Sequence, residues 1–379
     1  MKSAVENMNI ALVHDWITST AGAERVILDL SGIYPKAPIY TSVFEKEKTQ
    51  GFEEKDVRTS FLQKYKIIRK KRELLVPLVY FAFENIDLSS YDLVISNTTG
   101  GSKALILKPE AIHICYCHTP PRYLWYPNLD PRSSKGSFRF LRNWSKSWLM
   151  EWDLASSKRP DYYIANSINV QKRIKDIYNI DSKIIYPPVD VEKFKPKTIE
   201  NPDDYYLFVS RLVGYKRCDL VVDAFNELGL PLKIIGSGPE KKRLVKKANK
   251  NVEFLGFVSD DEMVRYYQKA KAFVFAAEED FGIVPVEAMA AGRPVIAFGV
   301  GGVLETVSEG LSGTFFKSQT PESLIEAIKK FDASKFDSRK IIEYAEKFSK
   351  ERFKKEFAQY VQEIIKSQET NCKQTTYSK

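Results

Sequence analysis

Glu279, the middle of the acidic trio Glu278-Glu279-Asp280, and Glu287 flank a glycine-opened helix start, Phe281-Gly282-Ile283. The apolar run 272–277 reads as a buried strand, and the alanine-rich run after Gly282 reads as a helix. At such a junction the N–H groups of Phe281, Gly282 and Ile283 have no intrahelical partners. With the helix dipole they suit an anionic ligand such as a diphosphate. Glu279 at the helix mouth and Glu287 on the second turn can then meet the two ends of an extended ligand, as in a nucleotide-sugar site. Either glutamate alone has a plainer reading, as a cap that complements the dipole or as a solvated helix residue. The Phe281-Gly282 turn and Pro285, set in the first turn where a missing N–H costs little, favour the ligand reading.

Other chemistry-bearing clusters sit at predicted strand ends. Arg211 and Lys216 follow the run 206–209, and two cations there neutralise a diphosphate without a metal; as surface charges they would do nothing of the kind. Gly236 and Gly238, after the run 232–235, allow close backbone approach to a ligand. Gly299, Gly301 and Gly302 form a second possible phosphate nest. In the first half, His118 and Arg122 lie just past the run 113–117, with Tyr123, Leu124 and Trp125 offering aromatic surface suited to a sugar face. A single histidine in that place is more often structural.

These clusters need a scaffold, and strand-then-helix alternation supplies one. The first half reads as strands at 10–13, 93–96, 113–117 and 162–165, with a helix opening on Gly22; the second restarts at 206–209 and continues through 232–235, 252–255 and 272–277 to 295–297. Such alternation implies parallel sheets wound with helices, whose ligands bind at the carboxyl ends of the strands. A chain of 379 residues is long for one core and comfortable for two domains. The seam falls at Pro187-Pro188, where paired prolines stiffen an extended connection. Expected domains are 1–186 and 187–366, with a polar, frayed tail at 367–379. Phe353, Phe357, Val361 and Ile364 fall on one face of a helix at about 348–366, which is expected to pack back toward the first domain.

Composition narrows the function classes. The hydrophobic fraction, 44%, is that of a soluble globular protein. No run reaches the roughly 18 apolar residues of a spanning helix, and the N-terminus lacks a signal-peptide core, so a cytoplasmic location is expected. Four cysteines and three histidines show neither a disulfide framework nor a metal-ligand spacing. The net charge of +9 lies mostly before residue 188. In the stretch 64–83 a basic cluster, Lys64 to Arg72, adjoins the apolar run Leu74 to Phe83, a pairing that suits either an interfacial helix on an anionic membrane or a solvated helix packed on its own core. Nucleic acid is not expected as a partner, because no helix-turn-helix, finger or RNP-type pattern accompanies the charge.

Together, Arg211 with Lys216, Gly236 with Gly238, Glu279 with Glu287 around Phe281-Gly282, and the Pro187-Pro188 seam resemble family 4 of the retaining glycosyltransferases. The 116–125 segment resembles the bacterial mannosyltransferase branch that builds O-antigen and related surface polysaccharides. The resemblance implies the α/β GT-B fold, two Rossmann-like doubly wound domains facing across a cleft. The implied enzyme moves a hexose from a nucleotide sugar, GDP-mannose ahead of UDP-glucose, to a glycan or polyprenyl-diphosphate-linked acceptor at the inner membrane face. No metal cofactor is implied, and no Asp-x-Asp triplet, the metal-holding mark of the other main glycosyltransferase architecture, occurs in the sequence.

By the same resemblance, Arg211 and Lys216 bind the donor diphosphate, Glu287 the ribose, and Glu279 with the backbone of Phe281, Gly282 and Ile283 the donor sugar. Gly236 and Gly238 belong to the donor side, His118 approaches the anomeric carbon, and Gly22 opens a loop beneath the diphosphate, where the usual Gly-Gly is Ala21-Gly22. Asp15, Arg122, Tyr123 and Trp125 fall on the acceptor side. Rival readings are a GT-B sugar-nucleotide epimerase, which converts donor without acceptor, and a non-enzymatic membrane- or glycan-binding scaffold, which binds no sugar nucleotide. A nicotinamide dehydrogenase is disfavoured, for no Gly-x-Gly-x-x-Gly opens either half.

Overall fold

The computed structural model describes residues 7–65, 76–126 and 139–377. The chain forms two compact units, one built from Met1–Trp125, Lys135–Pro188 and Glu351–Lys379, the other on Val189–Lys350.

The first unit holds β1 (Ile10–His14), β2 (Ile39–Thr41), β3 (Val57–Thr59), β4 (Leu93–Thr98), β5 (Ile112–Cys117), β6 (Tyr162–Ala165) and β7 (Lys183–Ile184). They form one sheet in the order β3-β2-β1-β4-β5-β6-β7, with every neighbouring pair parallel. The second unit holds β8 (Tyr206–Val209), β9 (Leu232–Ile235), β10 (Val252–Gly256), β11 (Ala272–Phe275), β12 (Val295–Phe298) and β13 (Gly313–Phe316), ordered β10-β9-β8-β11-β12-β13. These too are all parallel. Helices cover both faces of such sheets, so central strands are apolar throughout rather than alternating. All six residues of β4 and all four of β11 and β12 are buried accordingly.

Each sheet reverses direction once. The chain runs outward from β1 to β3 and then returns to place β4 on the other side of β1; β8, β10 and β11 repeat the pattern. Ligands of open parallel sheets bind at the carboxyl ends of strands at such a switch point. The loops after β1 and β4 in one unit, and after β8 and β11 in the other, are therefore the places to look for chemistry.

Several elements differ from the sequence expectation. β2, β3, β7 and β13 are additional; β3 is partly exposed and β7 spans two residues, too little apolar pattern to read. β11 stops at Phe275 rather than residue 277. The C-terminal helix, Lys350–Tyr377, runs through the segment expected to be a polar tail from 367, whose Lys, Glu and Gln content favours helix. Phe353, Phe357 and Val361 are fully buried in the first unit's core, among Leu12, Ile95 and Tyr116. Of the 64–83 stretch, residues 66–75 lie outside the described residues, and helix Val76–Glu84 follows them. Among the described residues no helix is long and apolar enough to cross a membrane.

Candidate functional site

In the second unit the switch point carries the residues picked out above. Ser210 to Lys216 leave the end of β8, and Ala276 to Gly282 leave the end of β11. Between these loops the Lys216 ammonium pairs with the Glu279 carboxylate, and both side chains are largely buried, at 16% and 17% exposure. Arg211, on the same β8 loop as Lys216, is exposed. Helix Ile283–Ala290 begins at Gly282, whose φ of +91° lies in the left-handed region that favours glycine. Phe281 contributes backbone only, because its ring is buried edge-on against Phe348 at 5.6 Å.

Glu287 is not the solvated helix residue of the plainer reading. It is 8% exposed, and the Tyr267 hydroxyl donates to its Oε2 at 3.1 Å. A buried carboxylate is tolerable only when hydrogen-bonded, and Tyr267 supplies a donor.

The glycines are required by neighbouring loops. A Cβ at Gly236 would lie 1.9 Å from the Ser210 carbonyl oxygen, and one at Gly238 would lie 2.3 Å from that of Leu212. The Leu212 N–H donates to Ser237 O at 2.9 Å, and the Glu240 N–H to Leu212 O at 3.2 Å. Gly236 and Gly238 thus let the β9 loop close on the β8 loop that carries Arg211. Gly301 and Gly302 do the same on the other side: a Cβ at Gly302 would lie 2.2 Å from Asp280 O, and the Gly302 N–H donates to Glu279 O at 2.9 Å. That N–H is engaged with the chain and clamps the Glu279 backbone, so Gly302 does not donate to the expected phosphate nest. A brace missed in the sequence completes the frame. Arg217, at φ +56°, donates to Gln319 Oε1 at 2.8 Å, and the Gln319 amide donates to Ala276 O at 2.8 Å, tying the loops after β8, β11 and β13 together.

In the first unit, Asn97 organises the switch point. Its Oδ1 accepts from His118 Nε2 at 2.6 Å, its amide donates to Ala23 O at 2.8 Å, and its carbonyl accepts from His14 Nδ1 at 2.8 Å. Burial, and next the charge of His14, push the His118 imidazole down to about 3, so the ring is neutral at physiological pH. The polar run Ser96-Asn97-Thr98 at the end of an apolar strand was the available signal for this residue.

Behind this turn lies a buried ion pair. Lys103 and Asp153 are 1% and 0% exposed. Asp153 accepts from Lys103, from the Tyr80 and Tyr178 hydroxyls at 2.7 Å each, and from the Trp125 indole N–H at 2.8 Å. Lys103 also donates to Gly100 O at 2.8 Å. Burying both charges costs several kcal/mol each, which a fully hydrogen-bonded geometry offsets. The network fixes the Gly100 turn and the helix Arg122–Trp125 against three other helices.

Residues 20–193 match the family model described as Glycosyltransferase Family 4, and residues 190–348 match that of Glycosyl transferases group 1. Both models describe glycosyltransferases, and together they match residues 20–348 of the chain. A protein of Methanocaldococcus jannaschii, named as an uncharacterized glycosyltransferase, is 32% identical over 204 residues, 50% of this chain and 54% of its own. The D-inositol 3-phosphate glycosyltransferase of Frankia alni is 30% identical over 190 residues, 42% of this chain and 47% of its own. The chain thus spans about half the length of the curated relatives it matches. Anabaena HepE, solved in complex with UDP-glucose, has a TM-score of 0.67 at 19% identity, covering 93% of this chain and 99% of that one. The fold is GT-B.

In the first unit two acceptor-side expectations change. Asp15 is 1% exposed, and its oxygens accept from the Thr99 N–H at 2.6 Å, the Thr99 hydroxyl at 2.8 Å and the Ser102 N–H at 2.7 Å; it holds the 98–102 turn in place of an acceptor. Trp125 likewise gives its indole N–H to Asp153. Arg122 and Tyr123 are half-buried on the same short helix. Gly22 is the first residue of helix Gly22–Ile33, and Ala21 caps it at φ −105° and ψ −165°, an extended conformation that alanine adopts without strain.

Proposed function

We propose that this chain is a retaining glycosyltransferase that moves a hexose, mannose from GDP-mannose, onto a glycan or polyprenyl-diphosphate-linked acceptor in surface polysaccharide synthesis. The observation that carries the reading is the Lys216–Glu279 pair spanning the β8 and β11 loops, with Arg211 on the same β8 loop and the buried Glu287 on the helix that follows. Arg211 and Lys216 take the donor diphosphate, Glu279 and the Phe281 to Ile283 backbone take the sugar, and Glu287 takes the ribose. As the bond between the anomeric carbon and the phosphate oxygen breaks, negative charge builds on the leaving diphosphate, where fixed cations and helix N–H groups stabilise it. The acceptor oxygen bonds to the anomeric carbon on the same face, and its proton passes to the departing phosphate oxygen.

Thermal-shift titration against GDP-mannose and UDP-glucose tests the donor assignment. GDP-mannose at 100 times its dissociation constant is expected to stabilise the protein by about 2.7 kcal/mol. A shift with UDP-glucose alone would overturn the mannosyl assignment and keep the glycosyltransferase; no shift with any sugar nucleotide would sink both. Conversion of donor without acceptor would point to the epimerase.

The same reading includes docking on an anionic membrane, supported by an exposed apolar patch on the first unit. Phe61, Tyr65, Leu78 and Phe81 are 40%, 54%, 38% and 48% exposed, and the Phe61 and Phe81 rings meet edge-on at 6.1 Å. The basic run from Lys64 to Arg72, which includes Tyr65, separates Phe61 from Leu78 and Phe81 in sequence. The protein is expected to sediment with phosphatidylglycerol vesicles and not with phosphatidylcholine vesicles, and Phe61→Ser with Phe81→Ser should release it. Equal sedimentation with both lipids, or with neither, excludes the anionic surface as a partner.

A further inference from the structure

We infer that Tyr267 is the positioning residue of the ribose-side carboxylate, holding Glu287 in the one orientation that can accept from vicinal hydroxyls. The inference rests on the reading of Glu287 as the ribose ligand and adds to it a residue that no motif marks.

Glutamate has three rotatable side-chain bonds, and fixing such a chain costs up to about 2 kcal/mol of rotamer entropy. A ligand carboxylate therefore works best when something rigid already sets its rotamer. Tyr267 is such a post. It is 0% exposed, on helix Asp260–Lys269, and its ring is held edge-on by Phe194 at 5.1 Å and against Phe273 of β11 at 5.6 Å. The helix itself is pinned at its start by the reciprocal Ser259 and Glu262 capping bonds, and one residue beyond Tyr267 the Gln268 amide donates to Phe194 O at 2.9 Å. These contacts hold the phenol in place. Its hydroxyl donates to Glu287 Oε2 at 3.1 Å.

A carboxylate has about four acceptor positions. The bond from Tyr267 takes one of these positions and orients the group, so the carboxylate can also accept from a ribose. A structural phenol, present only to satisfy a buried carboxylate, would affect every ligand of the site alike. A positioning phenol affects only ligands that carry the hydroxyls.

The test compares wild type, Tyr267→Phe and Glu287→Gln as full chains, by isothermal titration calorimetry. The probes are GDP and UDP, their 2′,3′-dideoxy counterparts, and inorganic pyrophosphate. Tyr267→Phe keeps the ring and its packing, and a melting scan checks its fold. It is expected to weaken the ribonucleotide that wild type binds by about tenfold, as loss of a hydrogen bond to a charged group does. The dideoxynucleotide and pyrophosphate should bind all three proteins alike. Unchanged ribonucleotide affinity in Tyr267→Phe, or equal weakening of dideoxynucleotide and pyrophosphate, overturns the inference. If Glu287→Gln still distinguishes ribose from dideoxyribose as wild type does, the ribose reading of Glu287 fails first and takes this one with it. The same holds if wild type binds no nucleoside diphosphate.

Discussion

Lys216→Ala is expected to lower sugar transfer by about 10²- to 10³-fold while the protein stays folded. Two effects act in the same direction. The ammonium is lost from the loop where the leaving diphosphate gathers charge, and the Glu279 carboxylate, 17% exposed and paired with Lys216, is left without its counter-ion at that same place. A site that was locally neutral across the pair becomes anionic, so nucleoside diphosphates should bind more weakly as well. Lys216→Arg is not expected to restore the activity, because a planar guanidinium cannot occupy the position of a compact ammonium. Glu279→Gln separates the two roles. It leaves Lys216 with a neutral partner, so diphosphate affinity should hold or rise while transfer falls. Calorimetry with the nucleoside diphosphate and a transfer assay, run on both variants, check this pair of opposite signs. Full turnover by folded Lys216→Ala, or equal weakening of nucleotide binding in the two variants, would falsify the assignment.

The places of Arg211 and Glu279 are legible in the sequence, because the loops that carry them leave the ends of apolar strands. Val209 before Ser210 and Arg211, and Phe275 before the acidic trio, mark carboxyl ends of parallel strands, where chemistry has to sit. What a lone sequence withholds is the partner. Gly236, Gly238 and Gly302 announce a close approach by their lack of a Cβ, yet what approaches is the Ser210, Leu212 and Asp280 backbone. Lys103 and Asp153 lie fifty residues apart, and no spacing rule joins a lysine after one strand to an aspartate within a later helix. Tyr267 and Glu287 are separated in the same way by β11. The short strands β3 and β7 escaped because their pairing partners, rather than their own residues, make them strands.

The protein should also be unusually sensitive to acid, and the cause is two histidines that the fold keeps neutral. His113 and His118 are 2% and 8% exposed, and burial pushes each imidazole down to about 3 from an ordinary value of 6.5. His113 bonds Ser96 Oγ at 2.8 Å and feels the Arg159 charge. His118 bonds Asn97 and has His14 and Asp15 as its charged neighbours. Between pH 6.5 and 3 the unfolded chain binds a proton at each histidine and the folded chain does not. Stability is thus fully present above pH 6.5 and is lost as pH falls toward 3. The slope is about 1.4 kcal/mol per pH unit for each ring. At pH 4.5 the two together remove about 5 kcal/mol, which is comparable with the whole stability of many domains. Urea unfolding of the first unit between pH 7 and pH 5 measures the slope, and a midpoint that does not move would refute the neutral pair. Asn97→Asp provides the internal control: a carboxylate facing His118 Nε2 raises the folded-state value toward the unfolded one, so the acid loss should shrink by the share that His118 carries while that of His113 persists.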